Sequence, residues 1–239
     1  MIPWAAKMFN CENAVDVIIP VLNGAKTIEA AIDTALNQYN VNISVIVVDA
    51  GSTDGTIEIV NAIHDPRIQL ISGMGKLMTG AARNVGIEAS HSSWISFLDA
   101  DDLWPYGRVQ QMLEGIADPT CQIAIGHMIT FPDGAEIDPS QLWPLENSHL
   151  APIAGGVLLS RTLFKEVGQF DLQFRVGEFI DWMARARIMG IQEVPIGSVV
   201  LLRRNHAHNT TKTRKEDYAS TVLSIALKHR SRQGKPLAE

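Results

Sequence analysis

The chain of 239 residues is 46% apolar and 19% charged with a formal net charge of -6, an ordinary globular composition that lacks the basic excess of a duplex nucleic-acid binder. Its two cysteines, Cys11 and Cys121, show no CxxC spacing, which excludes a disulfide framework or a zinc ribbon and fits a reducing compartment. No apolar run is long enough to span a bilayer and the first residues lack the apolar core of a secretion signal, so no transmembrane segment is expected and the expected location is the cytoplasm, free or peripheral to the inner membrane.

The first hundred residues alternate strand and helix patterns. Residues 15–20 form a β-rich run, and after Asn23-Gly24 the residues Ile28, Ala31, Ile32, Ala35 and Leu36 recur at helical spacing, giving one buried stripe. The continuous apolar run 43–48 predicts a strand covered on both faces, closed by Asp49. Thr53 and Asp54 are candidate caps for a helix carrying Ile57, Val60 and Ile63. A third strand is expected at 67–71, an alanine-rich helix at 78–89 and a fourth strand at 94–98. This alternation implies right-handed crossovers and an α/β fold with a mainly parallel central sheet flanked by helices.

The second half is less regular. The pattern predicts a helix at 108–116, a strand at 122–130, and a long loop over the site at 131–152, where Pro132, Pro139, Pro144 and Pro152 fall. A strand at 155–159, a short helix at 162–167, a helix at 179–189, an extended segment at 194–202 and a terminal helix at 212–228 complete the reading. We expect an extension at 1–14, a single domain at 15–210 with its halves meeting between 102 and 103, and a helical tail at 211–239.

Ligands of open α/β sheets bind beyond the carboxyl ends of the strands. Asp49 closes the second predicted strand, Asp99 and Asp101 close the fourth, and Arg83 and Asn84 lie in the helix after the third. Carboxylates at i and i+2 where a strand stops can share a divalent cation such as Mg²⁺ or Mn²⁺, its shell completed by water and substrate phosphates. The structural alternative is an acidic turn that caps the next helix. Asp49 can accept from the N–H or hydroxyl groups of a nucleoside. Arg83 offers a planar fork for phosphate oxygens or a base, on a helix face kept thin by Gly80, Ala81 and Ala82. His206 and His208 share one face of an extended segment, and Trp104 and Trp143 lie in segments expected to border the site. The GMGK at 73–76 is not a P-loop, because Leu70 and Leu77 stand where a glycine and a Ser or Thr belong.

PVLNGAKTIEAAIDTALNQ, VIVVDAGSTDGT, GAARNVGIEAS, WISFLDADDLWPYGRV and GGVLLSRTLFKEVGQFD, in this order over residues 15–185, together resemble family 2 glycosyltransferases. The resemblance implies a GT-A (nucleotide-diphospho-sugar transferase) fold and an inverting, metal-dependent transfer. The donor would be a nucleotide-diphospho-sugar, UDP-linked first and GDP- or dTDP-linked as alternatives; the acceptor would be a hydroxyl on a glycan, a lipid-linked or another molecule. On this basis 15–102 is the nucleotide-binding half and 103–210 the acceptor half. Asp99 and Asp101 become a DxD motif meeting ribose, metal and diphosphate, while Asp49 and Arg83 enter the nucleotide pocket and Pro20 sits beside the base. His206 is a further candidate metal ligand, with Arg203 or Arg204 near the phosphates. The chain departs from the family pattern twice: Ala50 replaces a second acid after Asp49, and Phe179 stands where the family's general base is expected. Glu178 and Asp181 are the carboxylates left for that role, spaced i, i+3 on the helix. Two other readings fit fewer residues: a sugar nucleotidyltransferase, and a non-catalytic module that binds nucleotide-sugars or a partner.

Overall fold

A computed structural model describes residues 13–116, 121–207, 209, 220–222, 224, 225 and 228. The strand β1 (Ala14–Val21) is apolar on both faces because both are covered. Val15, Val17, Ile19 and Val21 pack with α1 (Ile28–Leu36), α2 (Thr56–Ala62) and α4 (Arg108–Gly115). Ile18 packs on the opposite side, with α3 (Thr79–Ala89), α5 (Leu163–Glu166) and α6 (Glu178–Ile188). The period-2 alternation of side chains thus sorts one strand into two cores.

The sheet is mixed, with a parallel centre. β1 pairs in parallel with β2 (Asn42–Asp49) and β4 (Trp94–Phe97), and β2 with β3 (Ile68–Ile71). β7 (Val157–Ser160) then runs antiparallel to β4, and β5 (Ile123–Pro132) antiparallel to β7. β8 (Glu193–Asn205) lies parallel to β5, and the two-residue β6 (His149–Leu150) also pairs with β5. Two reversals cancel, so β5 and β8 point the same way as β1. The carboxyl ends of β1, β2, β4, β5 and β8 therefore share one rim with the start of β7. That rim is where the site forms.

The structure differs from the sequence reading at several boundaries. β8 runs on to Asn205, three residues beyond the expected 202, because it follows the full length of β5 through two register shifts. Residues 155 and 156 belong to a 3-10 turn, Ala154–Gly156, rather than to β7. A Cβ on Gly156 would lie 2.2 Å from the Ala151 carbonyl oxygen, so only glycine fits. Neither Thr53 nor Asp54 is the N-cap of α2; that residue is Gly55, with φ 89°, and the Asp54 carboxylate accepts from the Thr56 amide and hydroxyl. The expected long loop is mostly irregular from 133 to 148.

Trp104 does not border the site. It is fully buried, with the Arg108 guanidinium stacked 3.8 Å from the centre of its ring. Arg108 donates to the carbonyls of Gly155 and Val157, and burial pushes its pKa down to about 9. Trp143 packs on a small cluster of Leu103, Phe131, Val199 and Leu202. Of the expected terminal helix, residues 220–222, 224, 225 and 228 are helical. The rest of that helix, His208 and residues 1–12 lie outside the described residues.

Candidate active site

The loops after β1 and β2 are stitched together. Asn23, in the left-handed region at φ 56°, takes a hydrogen bond from the Thr53 amide, and its own amide donates to the Ser52 hydroxyl. The Gly24 amide donates to Thr56 Oγ1 at 2.9 Å and the Ala25 amide to Asp54 at 3.0 Å. The Thr56 hydroxyl holds the Asp54 carboxyl below its ordinary pKa. This rigid pair of loops forms one wall of a cleft of about 980 Å³ along the rim. Pro20 and Ala50 line that wall, with Leu77 and Met78 beside them.

Arg83 comes up from the first half of α3. Its Nη2 donates to Asp99 at 2.7 Å and its Nη1 to Glu178 at 2.5 Å. Burial works against the cation, but the charges of Asp99 and Glu178 prevail and raise its pKa. The thin helix face is what lets Glu178 approach, since a Cβ on Gly80 would lie 3.1 Å from Glu178 Cγ. Asn84, next on α3, exchanges two 3.0 Å hydrogen bonds with the Phe170 backbone and fixes the connection from α5 to α6 against the helix.

A second chain of contacts crosses from the end of β4 to the end of β8. Asp101 Oδ2 lies 2.6 Å from His206 Nε2. Asp102 is buried and accepts the Arg204 amide at 2.8 Å. Burial, reinforced by Asp101 and then Asp99, pushes its pKa well above the ordinary value. Arg204 donates from Nε to the Asp101 carbonyl and pairs with Asp133 at 3.3 Å, its guanidinium stacked over Phe131. The backbones of Leu103 and Leu202 exchange a pair of 2.9 Å hydrogen bonds beneath them.

Pro20, Arg83, Asp99, Asp101, Glu178 and His206 all line the one cleft. Two expected site residues do not. Asp49 is 1% exposed, and its carboxylate accepts the amides of Gly51 and Ser52, closing the turn behind the wall instead of facing a nucleoside. Asp181 is fully buried and does not line the cleft; it is bonded to Arg185 at 2.9 Å and Lys228 at 3.4 Å, which keeps it from an acceptor. Arg203 and Arg204, the alternatives expected near the phosphates, both line the cleft. Asp102 and Asn209, whose amide oxygen accepts the His206 backbone N–H, were not anticipated. The three acids in Asp99-Ala100-Asp101-Asp102 were the available signal, but the partner strand end was not.

Among the described residues no three His, Cys, Asp or Glu side chains form a metal cage by themselves. The donor set still suits a hard cation of the magnesium or manganese type. Such ions are held by one or two carboxylates and complete their shell with phosphate and water, and Asp101 with its imidazole neighbour His206, beside Asp99, provides that chemistry on the cleft surface.

The model of the family described as "Glycosyl transferase family 2" matches residues 16–177. The succinoglycan biosynthesis protein ExoO of Rhizobium meliloti is 36% identical over 137 residues, covering 57% of this chain and 38% of that protein. A UDP-Glc:alpha-D-GlcNAc-diphosphoundecaprenol beta-1,3-glucosyltransferase of Escherichia coli, WfaP, is 35% identical over 99 residues, covering 41% of this chain and 39% of the relative. The chain thus spans about two fifths of the length of these two relatives. Among solved structures, S. aureus TarS 1-349 in complex with UDP superposes with a TM-score of 0.69 at 18% identity, over 90% of this chain and 64% of that one. The mannosyltransferase PcManGT of Pyrobaculum calidifontis, in complex with GDP-Man and Mn²⁺, gives 0.69 at 21% identity over 94% and 65%. These neighbours share the GT-A fold with this chain. With its family model matching residues 16–177, from β1 to the start of α6, the chain belongs to glycosyl transferase family 2.

Proposed function

We propose that this chain transfers a sugar, with inversion, from a nucleotide-diphosphate donor to an acceptor hydroxyl, and that donor binding needs a divalent cation. The observation that carries the reading is the convergence of Arg83, Asp99, Asp101, Glu178 and His206 on one cleft, at the rim where the carboxyl ends of the sheet's parallel strands meet. The structures of TarS with UDP and UDP-GlcNAc, and of PcManGT with GDP-Man and Mn²⁺, support a nucleotide-sugar donor of this kind. A UDP-sugar is the first candidate, a GDP- or dTDP-sugar the second. The acceptor is a glycan, a lipid-linked or another hydroxyl compound. No helix among the described residues is long and apolar enough to cross a membrane, which fits work in the cytoplasm or at a membrane surface.

In this reading the nucleoside lies against the wall of Pro20 and Ala50, and the diphosphate turns toward Asp99 and Asp101. Those two, with His206, would hold the cation, which when bound would neutralise charge on the departing diphosphate. Arg203, also on the cleft, adds fixed positive charge near the same atoms. Glu178 takes the proton from the attacking hydroxyl. Arg83 engages its Oε1, and Oε2 makes no hydrogen bond among the described residues. A single carboxylate base and an oxocarbenium-like transition state give one displacement and hence inversion.

Calorimetry with UDP, GDP and dTDP, first with Mn²⁺ and then with EDTA, tests this reading. The wild-type chain should bind one of them in Mn²⁺, and Asp101→Ala should lose the metal-dependent part, at least about tenfold in affinity, as expected for a charge-assisted contact. If Asp101→Ala binds as the wild type does in Mn²⁺, the metal assignment is wrong. If the wild type binds none of the three in either condition, the transferase reading falls and a non-catalytic module takes its place.

A further inference from the structure

The resemblance places Arg83 in the nucleotide pocket, where its fork could take phosphate oxygens or a base, but the contacts around it point elsewhere. Its side chain is only 6% accessible, whereas that of Asp99, directly beside it, is 47% accessible. One terminal nitrogen is engaged by Asp99 and the other by Glu178. Nε is buried without a hydrogen-bond partner among the described residues, and the guanidinium lies 5.6 Å from the centre of the Phe97 ring. A group arriving from the cleft therefore meets Asp99 before it meets the guanidinium.

The two carboxylates belong to different parts of the fold. Asp99 follows β4 in the donor half, and Glu178 opens α6 in the acceptor half. Few side chains could hold both. A lysine is a point charge, while the guanidinium fork presents two terminal nitrogens in a fixed plane. Gly80 makes room for Glu178, and the paired bonds of Asn84 with Phe170 hold α3 against the segment leading into α6.

We infer that Arg83 is a positioning residue: it sets the orientation of Asp99 toward the cation and of Glu178 toward the acceptor, and it does not itself bind the phosphates. The inference rests on the transferase reading and sharpens it. Its consequence is that Arg83 matters to a nucleotide only through the metal. A phosphate ligand, by contrast, contributes whether or not a cation is present.

The test uses the full chain and whichever of UDP, GDP or dTDP the wild type binds in Mn²⁺. Affinity is read by calorimetry in Mn²⁺ and by ligand-observed NMR in EDTA. Arg83→Met alone leaves the Glu178 carboxylate buried and unpaired, which destabilises the fold. A double variant, Arg83→Met with Glu178→Met, removes both charges together, and its melting temperature reports whether the fold is retained. Arg83→Lys supplies a third variant that keeps the charge but not the fork. In Mn²⁺ the double variant should bind at least about tenfold more weakly than the wild type, and Arg83→Lys should fall between them. In EDTA all three should bind alike. An equal loss in EDTA overturns the inference and returns Arg83 to the phosphates, leaving the transferase reading intact. Wild-type affinity in Mn²⁺ for the double variant also overturns it. Absence of any binding by the wild type in Mn²⁺ defeats the reading and the inference with it.

Discussion

Glu178 and Asp181 stand three residues apart in the first turn of one helix, both carboxylates, both almost out of contact with water, yet they belong to different regions. Glu178 faces α3 and the cleft, where Arg83 meets it. Asp181 turns instead into a network that ties α6 to the preceding loop and to the chain's last described residues. Arg185 pairs with it at 2.9 Å and caps the carbonyls of Val167 and Gln169, while Lys228 bridges Asp181 and Asp171 and lies over the Phe174 ring. Helical spacing of i, i+3 makes residues neighbours without giving them one environment. A few tens of degrees around the helix axis separate a group that can do chemistry from one that holds the backbone in place.

The largest expected effect comes from neutralising the cleft-side member. Glu178→Gln should lower kcat by about 10²–10⁴-fold, the range for removing a general base. The amide oxygen can still accept from Arg83, so affinity for the nucleoside diphosphate in Mn²⁺ should stay close to that of the wild type. Steady-state turnover beside calorimetry separates the two quantities. Undiminished kcat would remove Glu178 from the chemistry and make it only the partner of Arg83.

This contrast marks how far the sequence was legible. The central sheet was, because a run such as 45–48 is apolar at every position and only a strand covered on both faces needs that. Asp99 and Asp101 were legible for the same reason: a buried strand that stops at two acids delivers them to the rim. What could not be read were facts of pairing between distant segments. Nothing local announces that β7 is antiparallel, so the return of β8 to the same rim, and with it the bonds of Asp102 to Arg204 and of Asp101 to His206, depended on topology. Asp49 misled for the opposite reason, since a strand-end aspartate followed by Ala-Gly-Ser can close its own turn. Trp104 read as a border of the site, but Arg108 and the apolar side of α1 enclose it.

At Asp181 the expected effect is on stability and not on turnover. Asp181→Asn removes the charge that faces Arg185 and Lys228 in a fully buried position. Breaking such a pair should cost about 3 kcal/mol of folding stability, the lower end of the range for buried pairs because both cations keep some access to water. Denaturant melts would show this as a lower midpoint. At a temperature where the variant is folded, kcat should match the wild type within about twofold, since donor and acceptor contacts are untouched. A fall in kcat comparable to that of Glu178→Gln would mean that the two carboxylates are not divided as the contacts divide them.

The smallest effect concerns Asp171, the outer partner of Lys228. The Gln173 amide, followed by Lys228, holds its carboxyl below the ordinary value of 3.8. A carboxylate whose pKa is lower in the folded than in the unfolded chain binds fewer protons when folded, so its contribution to stability is present above 3.8 and disappears as the pH falls through the folded value. The Asp171 and Lys228 side chains keep 27% and 31% of their surface in water, which keeps the contribution small. Asp171→Asn retains an oxygen for the Gln173 amide and removes only the charge. The melting temperature of the wild type should therefore exceed that of Asp171→Asn by a constant small margin from about pH 7 to pH 5, and the two curves should converge under more acidic conditions. A margin that persists unchanged to about pH 2 would show that shape at this corner, and not the ion pair with Lys228, is what ties the chain's last described residues to α6.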